Sequence, residues 1–529
     1  MERAIKRPAS FDGDGVGDGD QPGRKSTPLS LTHPVSPPMK KRRLAEDAAG
    51  QAAVHSQTFR SPFQLTRIRD LPPELNRDTI SLKDILGDPL ISECWEFNYL
   101  HDIDFLMNAF DEDVRGLVKV HVVHGFWKKE DPNRLELQNM ASRYSNVSLH
   151  SAFLPEMFGT HHSKMMILLR HDDTAQIVIH TANMIIRDWT NMTQAVWLSP
   201  RLPLMKSSQQ ETSQEHRVGS GAKFKMDFLN YLRSYDTRRV TCRPIISQLE
   251  KYDFSAIKGS LIASVPGRHS IHDESPTRWG WAAMAQALKA VPVSPAKSEV
   301  AVQVSSIATL GPTDSWLKNT LFKALGGGRG TGLQTPEFKV VFPTADEIRK
   351  SLDGYASGGS IHTKIQSSQQ MKQLQYLKPI FCHWANDSAD GTDLGDAIIK
   401  EAGRKRAAPH IKTYIRYGNM SDQTIDWALV TSANLSKQAW GEAVNQAGEI
   451  RISSYELGVL VWPALYAEDA VMKATFLTDS LAEADNKPAV ALRLPYNLPL
   501  QPYGKQEVPW VATANHSEPD WMGQVWKHE

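Results

Sequence analysis

The chain has 529 residues, too many for one ordinary core, so two domains, or one large domain and a tail, are expected. Lys+Arg of 60 against Asp+Glu of 59 excludes a histone-like polycation and an acidic solvating chain, and leaves only local charged patches open. Cys94, Cys242 and Cys382 are odd in number and form no C-x-x-C, which argues against a disulfide framework or a cysteine zinc site and fits a reducing compartment. No apolar run approaches the roughly 18 residues that span a bilayer.

Residues 1–60 differ from the rest. They hold six prolines, six glycines and two aromatics, Phe11 and Phe59. Such a segment cannot bury enough apolar surface to offset its ordering entropy, so residues 1–74 are expected as a disordered tail. The first 60 residues carry ten basic and seven acidic side chains; taking that +3 from the overall +1 leaves −2 for the remainder. A polyanion site must then be a focused cleft rather than a global field. Pro37-Pro-Met-Lys-Lys-Arg-Arg43 is a proline-flanked basic cluster, the pattern of a nuclear import signal, which predicts a nuclear protein. A solvated charge run and a DNA-tethering arm are the other readings. Ser36-Pro37 is a candidate phosphorylation site. The opening Met1-Glu-Arg-Ala-Ile-Lys-Arg-Pro8 has no apolar core, so no secretory signal is expected.

From about residue 75 the pattern is globular. Alternation predicts a strand over 118–124 and another over 147–151. The aliphatic runs 162–169 and 176–181 are expected as central strands buried on both faces. The polar stretch 207–221 is expected as a long mobile loop, and 228–232 as helix. Strands follow at 299–305, 338–342, 410–416, 427–431 and 457–462. Strands mixed with helical stretches in both halves predict an α/β protein of two similar α-β-α domains with mixed sheets, spanning 75–257 and 258–529.

The informative feature is a duplication. Gly159-Thr-His-His-Ser-Lys164 is followed by Ile177-Val-Ile-His-Thr-Ala-Asn183. Pro409-His-Ile-Lys412 is followed by Leu429-Val-Thr-Ser-Ala-Asn434. The Lys-to-Asn separations are 19 and 22. One His-x-Lys carries almost no information; two, each followed at similar distance by a strand ending in Asn, are far more specific. Alternate residues of a strand share a face, so His162 and Lys164 project together, as do His410 and Lys412, while His161 and Ser163 point the other way. Two copies related by a pseudo-twofold would bring two His, two Lys and two Asn to one interface.

That set suits phosphoryl chemistry. Ammonium and amide groups hold the non-bridging oxygens and the charge of a five-coordinate transition state. One imidazole can attack phosphorus while the other moves the proton. Taken singly, each residue has a plainer reading as a packed histidine or a turn-forming asparagine, and His121, His124, His150 and His180 are read that way. The His161-His162 pair also admits a metal, but no carboxylate or third His stands at ligand spacing and Lys164 would repel a cation. Neither a metal nor a cofactor is expected.

These residues resemble the phospholipase D superfamily, whose signature is His-x-Lys-x4-Asp, present twice. The chain departs from it: Leu169 and Tyr417 stand at the two Asp positions. Loss of both is the pattern of the tyrosyl-DNA phosphodiesterases of the first type. The chain is similar to that branch in Phe158-Gly-Thr-His-His-Ser-Lys-Met-Met166, Thr193-Gln-Ala-Val-Trp-Leu-Ser-Pro200, Val430-Thr-Ser-Ala-Asn-Leu-Ser-Lys-Gln-Ala-Trp-Gly441 and Ser454-Tyr-Glu-Leu-Gly-Val-Leu460. The likeness runs from about residue 75 to the C-terminus.

The resemblance implies a phospholipase D-like fold with pseudo-twofold symmetry. It implies a metal-independent DNA-repair phosphodiesterase that cuts the 3′-phosphotyrosyl bond between DNA and stalled topoisomerase I, and other 3′ adducts, leaving a 3′-phosphate. His162 matches the nucleophile that forms a phosphohistidine, and His410 the general acid and later base. Lys164, Lys412, Asn183 and Asn434 match the phosphate-binding groups. Gln194 and Glu456 match the residues that orient the histidines, with the pairing left open. Partners would be DNA 3′ ends carrying a tyrosyl peptide, on single- or double-stranded DNA. Phe158 matches an aromatic that stacks on a base; Tyr99, Ser306, Thr309, Ser436 and Lys437 match further substrate-side positions. Thr309 stands where a second serine is expected, and core packing is the duller reading of Phe158 and Tyr99. One chain supplies both halves of the site, so a monomer without membrane attachment is expected. A lipid-directed member would carry the two Asp residues and an interfacial segment, and an idle DNA-end binder would have lost a His or Lys.

Overall fold

Two sheets of matching topology carry the fold. The computed structural model describes residues 57–206, 216–386, 398–419, 424–482 and 486–528. In the first sheet Ile91–Phe97, Lys119–His124 and Val147–Ser151 run parallel, side by side. Met165–Arg170 lies antiparallel along the other edge of Ile91–Phe97, followed by Thr174–His180 and Ala195–Leu198, each antiparallel to its neighbour. The second sheet repeats this order. Glu299–Gln303, Glu337–Val341 and Phe381–Cys382 are parallel, and Thr413–Asn419, Thr424–Thr431 and Glu456–Val461 follow antiparallel. Parallel neighbours need crossover connections. In the first half these hold helices Ile103–Ala109 and Pro132–Ala141, capped by the side chains of Asp102 and Asp131.

Every residue of Met165–Arg170 is buried, as expected of a strand covered on both faces. Between Leu202–Pro203 and Ser260–Ser264 the chain forms helices Gly221–Arg233 and Arg243–Leu249. Ser260–Ser264 then pairs with Glu456–Val461 in the second sheet, so the boundary placed near residue 257 falls just before that strand. The halves share apolar packing: Phe97, Ile167 and Ile177 lie in one cluster with Ile415, Val430 and Val459.

Three expectations need correction. Residues 57–74 do not belong to a tail. Thr58–Phe59 adds parallel to Ala489–Arg493 of the second sheet, and Gln64–Leu65 antiparallel to Ala195–Leu198 of the first. Phe63, Leu65 and Ile68 are buried; a few apolar side chains sufficed to dock a segment whose upstream composition is that of a tail. The His-x-Lys residues do not lie within the strands, which begin at Met165 and Thr413, because the backbones of the two histidines bond to the opposite half. The stretch expected as a loop to residue 221 ends earlier, since the Ser220 side chain caps a helix that starts at Gly221. The basic cluster 37–43 and residues 207–215 lie outside the described residues.

The docked N-terminal segment gives a direct test. Phe63→Ala and Leu65→Ala should each cost about 2–5 kcal/mol in denaturant unfolding, as for buried apolar side chains. Losses near those of exposed positions, within about 0.5 kcal/mol, would return the segment to a tail.

Candidate active site

The two His-x-Lys loops meet in one cleft of about 400 Å3, lined among others by His162, His410, Asn183, Asn434, Ser306 and Glu456. Each loop is tied to the other half. The His162 amide donates to the Tyr455 carbonyl at 3.0 Å, and the His410 amide to the Thr193 carbonyl at 3.2 Å. The residue following each acceptor then faces the histidine. Glu456 Oε2 lies 2.9 Å from His162 Nδ1. The Gln194 amide lies 3.0 Å from His410 Nδ1. The pairing left open by the sequence is therefore crossed: the second half orients the first half's histidine, and the reverse.

The alternation read from the sequence persists into the loops. His161 and Ser163 turn into a buried tyrosine cluster, with His161 Nε2 3.0 Å from Tyr235 Oη and the Ser163 hydroxyl bonded to Tyr231. Lys164 and Lys412 are fully buried. Their ammonium groups donate to the carbonyls of His162, at 3.2 Å, and of His410. Asn434 Oδ1 accepts from the amides of Ser305 and Ser306 at 3.1 and 2.9 Å, leaving its NH2 free to donate. Asn183 Nδ2 donates to Asp188 Oδ2 at 2.9 Å.

The electrostatics separate the two histidines. Burial lowers the His162 pKa, opposed by the Glu456 carboxylate and reinforced by Lys164. Burial would raise the Glu456 carboxyl, but His162, the Ser432 hydroxyl and Lys164 outweigh it and hold it below the usual carboxylate value. His410 is pushed well below an ordinary imidazole by burial, then by Lys412, Lys164 and His162. Burial brings Lys164 down to about 8. Burial and the nearby Lys164 charge push Lys412 well down.

Four residues escaped the sequence reading. Asp188 Oδ2 lies 3.2 Å from His410 Nδ1, and it also takes both the backbone and side-chain N–H of Asn183. It sits five residues past Asn183, where the second copy has Ala439 past Asn434, so the duplication could not flag it. Ser432 donates to Glu456 Oε2 at 2.5 Å. Its signal was present: it is the extra residue in Thr431-Ser-Ala-Asn434 against Thr181-Ala-Asn183. The Thr181 hydroxyl donates to Gln194 Oε1 at 2.8 Å. His362 lines the cleft from a segment without a motif.

The other substrate-side candidates divide. Phe158 is 76% exposed and Tyr99 37% exposed on the cleft, so neither is a core residue. The Tyr99 ring lies 5.7 Å from that of His162. Ser306 lines the cleft. Ser436 does too, with its hydroxyl capping helix Lys437–Trp440. Thr309 and Lys437 are not brought to the cleft lining. The Thr309 hydroxyl accepts from Gln370 at 3.1 Å, and the Lys437 ammonium sits 5.9 Å from the Trp316 ring centre.

A family model described as tyrosyl-DNA phosphodiesterase matches residues 62–504. A probable tyrosyl-DNA phosphodiesterase of Schizosaccharomyces pombe is 31% identical, over 92% of this chain and 98% of that protein. Tyrosyl-DNA phosphodiesterase 1 of Arabidopsis thaliana is 30% identical, over 92% of this chain and 80% of that protein. The crystal structure of the yeast tyrosyl-DNA phosphodiesterase superposes with a TM-score of 0.60 at 21% identity, over 85% of this chain and 98% of that one, which shows the same fold.

Lys164 and Lys412 are buried and do not themselves line the cleft; the Lys164 charge, present below pH about 8 and lost above it, is expected to act on an anion bound there. Binding of sulfate, whose own charge is constant in this range, should weaken about tenfold as pH rises from 7 to 9, the loss of one nearby positive charge. Affinity that stays flat across that range in calorimetric titration would separate Lys164 from the anion.

Proposed function

The chain belongs to the tyrosyl-DNA phosphodiesterase family, hydrolases of the phospholipase D superfamily, and we propose that it hydrolyses the 3′-phosphotyrosyl bond joining DNA to topoisomerase I through a phosphohistidine, leaving a 3′-phosphate. The observation that carries this reading is the Glu456 carboxylate on Nδ1 of His162. A carboxylate held ionised there keeps the proton on Nδ1, turns the Nε2 lone pair toward the cleft and steadies the cationic ring of an N-phosphorylated histidine.

In the first step His162 Nε2 bonds to phosphorus and the bond to the tyrosine oxygen breaks. His410, protonated once the anionic phosphodiester lies beside it, gives its Nε2 proton to that oxygen and becomes neutral. Phenolate, with a pKa near 10, is a far better leaving group than a sugar alkoxide, so this transfer carries little of the barrier. In the second step His410 takes a proton from water, the water oxygen bonds to phosphorus and the bond to His162 breaks. A neutral His410 with a low pKa is free to accept that proton once the tyrosine has left. Lys164, Lys412, Asn183 and Asn434 hold the non-bridging oxygens, which carry the developing charge. Phe158, exposed at the rim, is assigned here to stacking on a base whatever the sequence, and its exposure supports that assignment. The reading extends to a monomeric, nuclear protein, imported through residues 37–43.

The test is a single-stranded oligonucleotide ending in 3′-phosphotyrosine, incubated in excess EDTA and resolved on a denaturing gel. The intact protein should yield a 3′-phosphate. His162→Ala should lose at least about a thousandfold, the scale of a lost nucleophile. His410→Ala should accumulate a protein–DNA adduct. Turnover that survives His162→Ala would remove it as nucleophile, and no turnover by the intact protein would favour an idle DNA-end binder. Import has its own readout: replacing Lys40, Lys41, Arg42 and Arg43 with Ala should move a fluorescent fusion from nucleus to cytoplasm, and unchanged nuclear signal would discard the cluster.

A further inference from the structure

The C-terminal residues 505–528 lie beyond the span that the family model matches, yet they grip one wall of the cleft. That wall is the turn Gly354–Ser360, whose Gly359 and Ser360 line the cleft. Trp510 is fully buried, and its indole N–H donates to the carbonyls of Gly358 and Ile361 at 3.1 and 2.9 Å. A Cβ on Gly358 would overlap the Trp510 ring, so the turn is shaped to that side chain. Asp520 Oδ2 accepts from the Tyr355 amide at 3.1 Å, and the Trp521 indole donates to the Ser351 carbonyl at 2.9 Å.

The other side of the same turn holds the first half. Arg187 donates to the Ala356 carbonyl at 3.0 Å, and Asn191 to Asp353 Oδ1 at 2.7 Å. These two residues bracket Asp188, the carboxylate 3.2 Å from His410 Nδ1. One run of contacts therefore leads from Trp510 through the turn to Arg187 and Asp188, and ends on His410. His162, held by Glu456 and Ser432, lies off this run.

We propose that the C-terminal segment 509–526 is a positioning element for His410, with Trp510 its principal contact and the Gly354–Ser360 turn its intermediary. The inference rests on the two-step reading above. It predicts a selective defect. Proton donation to a phenolate is undemanding, so adduct formation depends weakly on where His410 sits. Activation of water in the second step depends on it strongly, and misplacement by about 1 Å can cost as much as a hundredfold.

The experiment is single-turnover reaction of the 3′-phosphotyrosyl oligonucleotide with the full chain, following adduct formation and decay separately. Trp510→Phe keeps an aromatic ring but removes the indole donor. Arg187→Ala cuts the run at an exposed residue and spares the core. In both, decay of the adduct should slow roughly tenfold or more while formation changes far less, and melting temperature is recorded alongside. His410→Ala is the control. If it traps an adduct while both folded variants clear theirs at the intact rate, or lose formation and decay equally, the inference is wrong and the two-step reading stands. If His410→Ala traps none, the two-step reading falls and takes the inference with it. Should Trp510→Phe fail to fold, Arg187→Ala decides by the same criterion.

Discussion

Two backbone hydrogen bonds, from the His162 amide to the Tyr455 carbonyl and from the His410 amide to the Thr193 carbonyl, hold the site together. Each takes a loop out of its own sheet and pins it to the chain just before a strand of the other. The next residue along, Glu456 or Gln194, is thereby aimed at the imbedded imidazole. Neither half can build its own site. The apolar cluster that Phe97 and Ile167 share with Ile415 and Val459 holds the halves together around these bonds, which alone would contribute only about 1 kcal/mol each.

The crossing also makes two similar halves chemically unequal. His162 meets a carboxylate held ionised, which supports a ring that gains positive charge. His410 meets a neutral amide, with Asp188 beside it and two buried lysines near by. Burying two ammonium groups is costly: burial lowers both pKa values, the Lys164 charge lowers that of Lys412 further, and Glu456 and Asp188 offset part of that. An anion entering the cleft relieves the same repulsion. Positive charge beside the cleft fits a site built for a phosphodiester.

Much of this was legible in the residues. The duplicated His-x-Lys and Asn found the cleft because two copies of a weak signal constrain each other. The strand alternation correctly sent His161 and Ser163 away from His162 and Lys164, even though these residues precede the regular strands. Residues without a copy stayed hidden. Asp188 has no counterpart, because Ala439 stands at the matching place, and Trp510 carries no motif at all. The apolar residues Phe63, Leu65 and Ile68 were overlooked because the composition upstream of them was that of a tail, and docking at a sheet edge needs few side chains.

The primary structure alone determined the chemistry available: which side chains alternate to one face, how many lysines and histidines converge, and the general α/β order of strands and helices. These are local properties, set by the two-residue period of an extended chain and by the order of apolar runs. Which carboxylate serves which histidine, how far the pKa values move and which distant segment braces the cleft were decided only when the sheets packed. Those outcomes depend on residues hundreds of positions apart, such as His162 and Glu456 or Gly358 and Trp510, and on the exclusion of water from between them. No pattern along a single chain encodes such distances.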